Sequence, residues 1–84
     1  MDSSKIKEVL FRYEQILNNE DHLQKCEITS TEIDHLKSMI PKMKLLLQQG
    51  RVEKVMRWLG FMQGVFWTTA VYDLGSLKSH NRKD

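Results

Sequence analysis

Residues 58 to 72, WLGFMQGVFWTTAVY, follow Arg57 without one charged side chain. At 100° per residue, Trp58, Phe61, Met62, Val65, Phe66 and Trp67 would point in several directions around one helix. A helix apolar on nearly every side has to be covered on every side, by its own domain, by another subunit or by lipid. Lipid is the weakest of the three: a bilayer span needs about 20 predominantly apolar residues, and this stretch is shorter and holds Gln63, Thr68 and Thr69. Two amphipathic companion helices would shelter only roughly half to two thirds of such a helix. The expectation is therefore a further cover, either a second copy in an isologous dimer or a different protein.

Working upstream, residues 51 to 57 alternate Arg51, Glu53, Lys54 and Arg57 with Val52, Val55 and Met56, so the same helix is amphipathic at its start and is predicted over 51–71. Gly50 is a natural terminator for the helix before it. That helix, predicted over 30–49, carries Ile33, Leu36, Met39, Ile40, Met43, Leu46 and Leu47 on one stripe and is interrupted at Pro41, where a kink is expected. Its start has the strongest local signal in the chain, a Thr29/Glu32 capping box flanked by Ile28 and Ile33. With one glycine between them, these two helices should form a tight antiparallel hairpin.

Ile6, Val9, Leu10, Tyr13, Ile16 and Leu17 recur at helical spacing and predict a first helix over 4–18, with Ser3 or Ser4 as its cap. Phe11 lies off that stripe. Residues 19–28 read as a loop whose Leu23, Cys26 and Ile28 could turn inward. Downstream, Asp73 can cap a short turn or helix over 73–79, and 80–84 reads as a frayed tail. The fold expected is a single all-α domain of three to four helices spanning 1–84.

Composition agrees with a folded chain: 84 residues, 40% hydrophobic and 29% charged, outside the disordered range. A domain of this size buries only roughly 60 to 65% of its unfolded surface, so association is a common way to complete its core. The one cysteine, Cys26, has no internal disulfide partner. Together with an N-terminus that lacks a signal-peptide pattern, it points to the cytoplasm.

Chemistry is harder to find. His22 and Cys26 stand four apart, and His35 and His80 lie elsewhere, with no metal-ligand spacing among them. A Cys26 nucleophile beside His22 would need a pocket that the sequence does not identify; a surface loop is the plainer reading. No glycine-rich phosphate loop or nucleophile elbow is present, so neither an enzyme nor a cofactor is expected. Lys37, Lys44, Arg51, Lys54 and Arg57 gather near the hairpin turn, but Glu32, Asp34 and Glu53 offset them and the formal net charge is only +2. A nucleic-acid groove would call for more; a small nucleic-acid-binding or host-takeover factor is the second reading.

Gly60 and Gly64 form a GxxxG spacing, which lets another backbone come close. Packing on the preceding helix or on a twin is the ordinary explanation, and membrane dimerisation a weak one given the short span.

Two segments, SMIPKMKLLLQQGRVEKVMRWLGFMQGVFW (38–67) and VYDLGSLKSHNR (71–82), carry a family likeness. The chain resembles the small lysis-inhibition accessory proteins of T-even-type phages, products of the third rapid-lysis locus, through the core Arg57, Trp58, Leu59, Gly60, Phe61, Gln63, Gly64, Val65 and Trp67 and the ending His80, Asn81 and Arg82. The first helix adds nothing to the likeness. The resemblance implies a phage protein of the host cytoplasm that delays lysis by contacting the cytosolic part of the holin and antiholin system. It does not say which residues touch the partner. On physical grounds Trp58, Phe61 and Trp67 are the expected anchors, Gly60 and Gly64 the points of close approach, Arg57 a rim charge, and Val65 part of the same surface.

Overall fold

Stripes of apolar residues at helical spacing leave little choice but helices packed on one another, and the computed structural model, which describes residues 1–82, has five: α1 (Ser3–Leu17), α2 (Glu20–Leu23), α3 (Ser30–Gln48), α4 (Val52–Thr68) and α5 (Leu74–Asn81). There is no strand among the described residues. α3 makes the most extensive contacts, with α1 and with α4, and α5 touches both α1 and α4.

Each helix contributes the face that its periodicity foretold. α1 buries Ile6, Val9, Leu10, Tyr13 and Leu17; α3 buries Leu36, Met39, Ile40, Met43 and Leu47; α4 buries Val55, Leu59, Met62 and Phe66. Fully burying one such side chain contributes about 1.5–3 kcal/mol, so these three stripes dominate the stability of the domain. Ile16, Ile33, Leu46 and Val52, expected inside, are only half buried, and Met56 is exposed. Phe11 is 62% exposed.

The capping box at α3 is formed: Glu32 N donates to Thr29 Oγ1 (3.1 Å) and Thr29 N donates to Glu32 Oε1 (2.9 Å). α3 runs on through Pro41 as one helix. It closes with Gly50 at φ 75°, where Gly50 N donates to Leu47 O and Arg51 N to Leu46 O, the paired bonds of a glycine-terminated helix end. Three residues separate α3 from α4.

Four expectations need correcting. α1 is capped by Asp2, which accepts from Lys5 N at 2.9 Å, and not by Ser3 or Ser4, which are helical; the carboxylate sits one step earlier, where the backbone is still extended. The segment 19–28 is not all loop, since Asn19 accepts from His22 N and starts the single turn of α2. α4 stops at Thr68 instead of 71, because Ala70 turns to φ 62° and Val71 N reaches back to Phe66 O. The tail expected over 80–84 is helical as far as Asn81, with His80 buried; Lys83 and Asp84 lie outside the described residues. α5 is held because Leu77 and His80 both reach the core, and Asp73 caps it by accepting from Ser76 N at 2.7 Å. That bond, and a second from the Ser76 side chain, hold the Asp73 carboxyl below its usual range.

Candidate functional site

The charge-free stretch divides by direction. Val55, Leu59, Met62 and Phe66 form the buried side of α4, and α1, α3 and α5 cover no more than that side and its edges. Opposite them, Gly60, Phe61, Gly64 and Trp67 are exposed, Phe61 to 53% and Trp67 to 55%. A Cβ placed on Gly60 or Gly64 would meet nothing within 4 Å. Packing of these glycines against α3 is thereby overturned: their bare backbone faces outward.

The residues singled out from the sequence do not make one patch. Arg57, Trp58 and Phe61 share one flank of α4 and line an open groove of about 590 Å³ against α3. Trp67 comes nine residues after Trp58, which at 100° per residue is roughly half a turn around the axis. It belongs to the other flank. Gly60 and Gly64 lie between the two flanks, while Val65 is half buried and packs against the core. Trp58 is also half buried, with the Lys54 ammonium 6.0 Å from its ring centroid.

The wall that α3 gives this groove went unread in the sequence. It consists of His35, Ser38, Met39 and Lys42, and the ring of His35 stands edge-on to Phe61 at 5.9 Å. Their i, i+3, i+4, i+7 spacing was available as a signal, but it lies beside the buried stripe and includes only one strongly apolar member.

A second unread constellation is inside. Tyr13 Oη lies 2.9 Å from His80 Nδ1, and Gln63 Nε2 donates to Tyr13 Oη at 2.9 Å. Gln63 and Asn81 exchange two further bonds, 2.7 and 3.1 Å. Burial raises the Tyr13 hydroxyl to about 12. Burial, then the positive charges of Arg12 and Lys5, lower the His80 imidazole below its ordinary value. Both groups are thus neutral at pH 7, and a tyrosine hydroxyl that donates to a neutral imidazole satisfies each. This cluster joins α1, α4 and α5, which makes it a structural clasp.

Set against protein-family models, curated proteins and solved structures, the chain matches none of them. Three residues of the segments quoted above, Gln63, His80 and Asn81, tie the C-terminal helix to α1 and α4.

Among the described residues no three His, Cys, Asp or Glu side chains come together as a metal site, and no helix is long and apolar enough to cross a membrane. Cys26 is half buried, and its thiol donates to His22 O at 3.4 Å. His22 and Cys26 meet through that carbonyl, so the bond gives the thiol no general base.

Proposed function

We propose that this chain is a non-enzymatic regulatory protein that docks onto another protein through the uncovered side of α4. The observation that carries the reading is the exposure of Phe61 and Trp67 on either side of two open glycines, in the longest uncharged segment of the chain. Large apolar side chains around bare backbone give a partner both anchors and close approach. Two or three buried aromatic anchors, each contributing on the order of 2–3 kcal/mol, drive a specific association.

The resemblance at RWLGFMQGVFW and HNR supplies the target: the cytosolic part of a phage holin or antiholin, with delayed host-cell lysis as the outcome. In this reading the protein acts in the host cytoplasm and needs no cofactor.

The test is capture of the soluble holin segment by the purified chain. Trp67→Ala and Phe61→Ala should each weaken capture at least tenfold while leaving the fold intact. Retention of full binding by both variants would overturn the surface, and no capture by the parent chain would overturn the target. Light scattering decides whether a twin covers the face in the absence of the target. A dimer that Trp67→Ala converts to monomer would place the second copy there; a monomer at tens of micromolar leaves the face for the foreign partner.

A further inference from the structure

The groove between α3 and α4 has two unlike ends. His35 and Phe61 meet at one of them. Seven residues further along α3 stands Lys42, and seven residues back along α4 stands Lys54, with Arg57 one turn away. Both walls repeat at i, i+3, i+4, i+7, so the groove is about two helical turns long, roughly 10 Å at 1.5 Å per residue. Its aromatic end offers Phe61, with Trp58 about one turn back along α4. Its other end holds Lys42 and Lys54, with Arg57 midway along the α4 wall, and no acidic residue lines the groove.

Those cations are not engaged elsewhere. The ion pairs found among the described residues, Lys5 with Glu8 and Lys44 with Glu14, involve none of them. Lys42 and Arg57 are exposed, and Lys54 lies over the Trp58 ring. Glu53 lies next to Lys54 in the chain but makes no ion pair with these cations among the described residues, so a carboxylate brought into the groove meets positive charge that no acid lining it offsets.

We propose that this groove seats an acidic amphipathic helix of the partner protein, with an apolar side chain at the His35/Phe61 end and carboxylates about two turns away among Lys42, Lys54 and Arg57. The mode is a helix laid in a groove, read by charge as well as by anchor. The inference rests on the docking reading above and adds the chemistry and polarity of the segment that docks. A nucleic acid fits less well. Three cations release few counterions, and Trp58, half buried against the core, presents less ring to stack a base than an exposed aromatic would.

Fluorescence anisotropy with labelled 18-residue peptides tests this on the full chain. One peptide has a Leu/Phe face and Glu at the remaining positions, a second has Gln for every Glu, and a third has Lys for every Glu. The Glu peptide should bind at least tenfold more tightly than the Gln peptide, and its affinity should fall at least fivefold between 50 and 300 mM salt. Lys42→Glu with Arg57→Glu should abolish that preference and turn it toward the Lys peptide. Lys42→Gln with Arg57→Gln should remove it without reversal, with circular dichroism confirming the fold of both. Equal binding of the Glu and Gln peptides, no binding of any peptide, or tighter binding of a single-stranded RNA 15-mer would each overturn the inference. Capture of the holin segment by parent and charge-reversed chains alike would sink the groove and spare the docking reading. Binding of the Glu peptide without capture of the holin segment would do the opposite to the proposed target.

Discussion

The hydroxyl of Tyr13 and Nδ1 of His80 lie 2.9 Å apart, although 67 residues separate them in the chain. Around this bond the rings of Phe66 and Tyr72 pack edge-on or tilted against Tyr13, with centroids 4.9 and 5.8 Å away. Every buried side-chain nitrogen and oxygen among the described residues has a hydrogen-bond partner, so the cluster is complete as it stands. Tyr13→Phe keeps the ring and leaves both His80 Nδ1 and the Gln63 amide without that hydroxyl. Orphaning buried polar groups costs about 1–3 kcal/mol, and urea unfolding of Tyr13→Phe should show a loss in that range. An unchanged midpoint would mean that α5 is held by Leu77, the Gln63–Asn81 pair and ring packing, with nothing added by the hydroxyl.

The burial of His80 gives stability a pH dependence. The folded His80 imidazole has a pKa below the 6.5 of the free group, chiefly through burial and secondly through Arg12 and Lys5. The unfolded chain therefore binds a proton that the folded chain resists, and stability rises with pH across that window. The contribution is intact above about 6.5 and is lost as pH falls from there through the folded value. Thermal melts between pH 7.5 and 5.5 should show a falling midpoint in the parent chain and a flatter profile in His80→Gln. Parallel slopes would assign the effect to other groups.

The three core stripes and the capping box of α3 were legible because each is a local pattern: periodicity within one helix, or two side chains three residues apart. α5 was legible only at its start, where Asp73 marks the cap; its run to Asn81 and the burial of His80 were not, since the polar anchor Tyr13 sits at the far end of the sequence. The candidate surface was half legible. An uncharged run announces that some side of α4 is left over, but with no charge to mark the wet side it does not say which. That is why Trp58 and Trp67 were grouped together although they lie on opposite flanks. Gln63 held the missing phase, as the one amide in the stretch and bonded inward to Tyr13. The α3 wall of the groove depends on how two helices are rotated against each other, and no local pattern encodes that.

Ala70 marks a place where the local residue and the backbone disagree. It adopts φ 62° at the end of α4, where Ala70 N donates to Trp67 O and Val71 N to Phe66 O. This is the position that glycine usually fills at a helix end, and a β-carbon in the left-handed region costs roughly 1–2 kcal/mol. Ala70 is exposed, so removing its methyl group forfeits no packing. Ala70→Gly should stabilise the domain by about 0.5–1 kcal/mol, which for a chain of this size raises the melting temperature by roughly 2–8 °C. Calorimetry checks it; a lower melting temperature would refute the strain.

Gly60 and Gly64 separate a structural role from a docking role most cleanly. Both lie inside α4, and glycine there is less favourable than alanine by roughly 0.5–1 kcal/mol. A Cβ at either position meets nothing within 4 Å in this fold. If the glycines serve only the isolated domain, nothing explains why this unfavourable choice stands twice on one exposed side. If they let a partner's backbone approach, each added methyl group stands in its way. Gly60→Ala and Gly64→Ala should therefore each raise the unfolding free energy by about 0.5–1 kcal/mol and together weaken capture of the partner by more than tenfold. Denaturant melts and the capture assay, run on the same preparations, read the two effects separately. Loss of stability would show that the glycines pack within the fold after all, and a stabilised double variant that binds its partner undiminished would remove them from the interface.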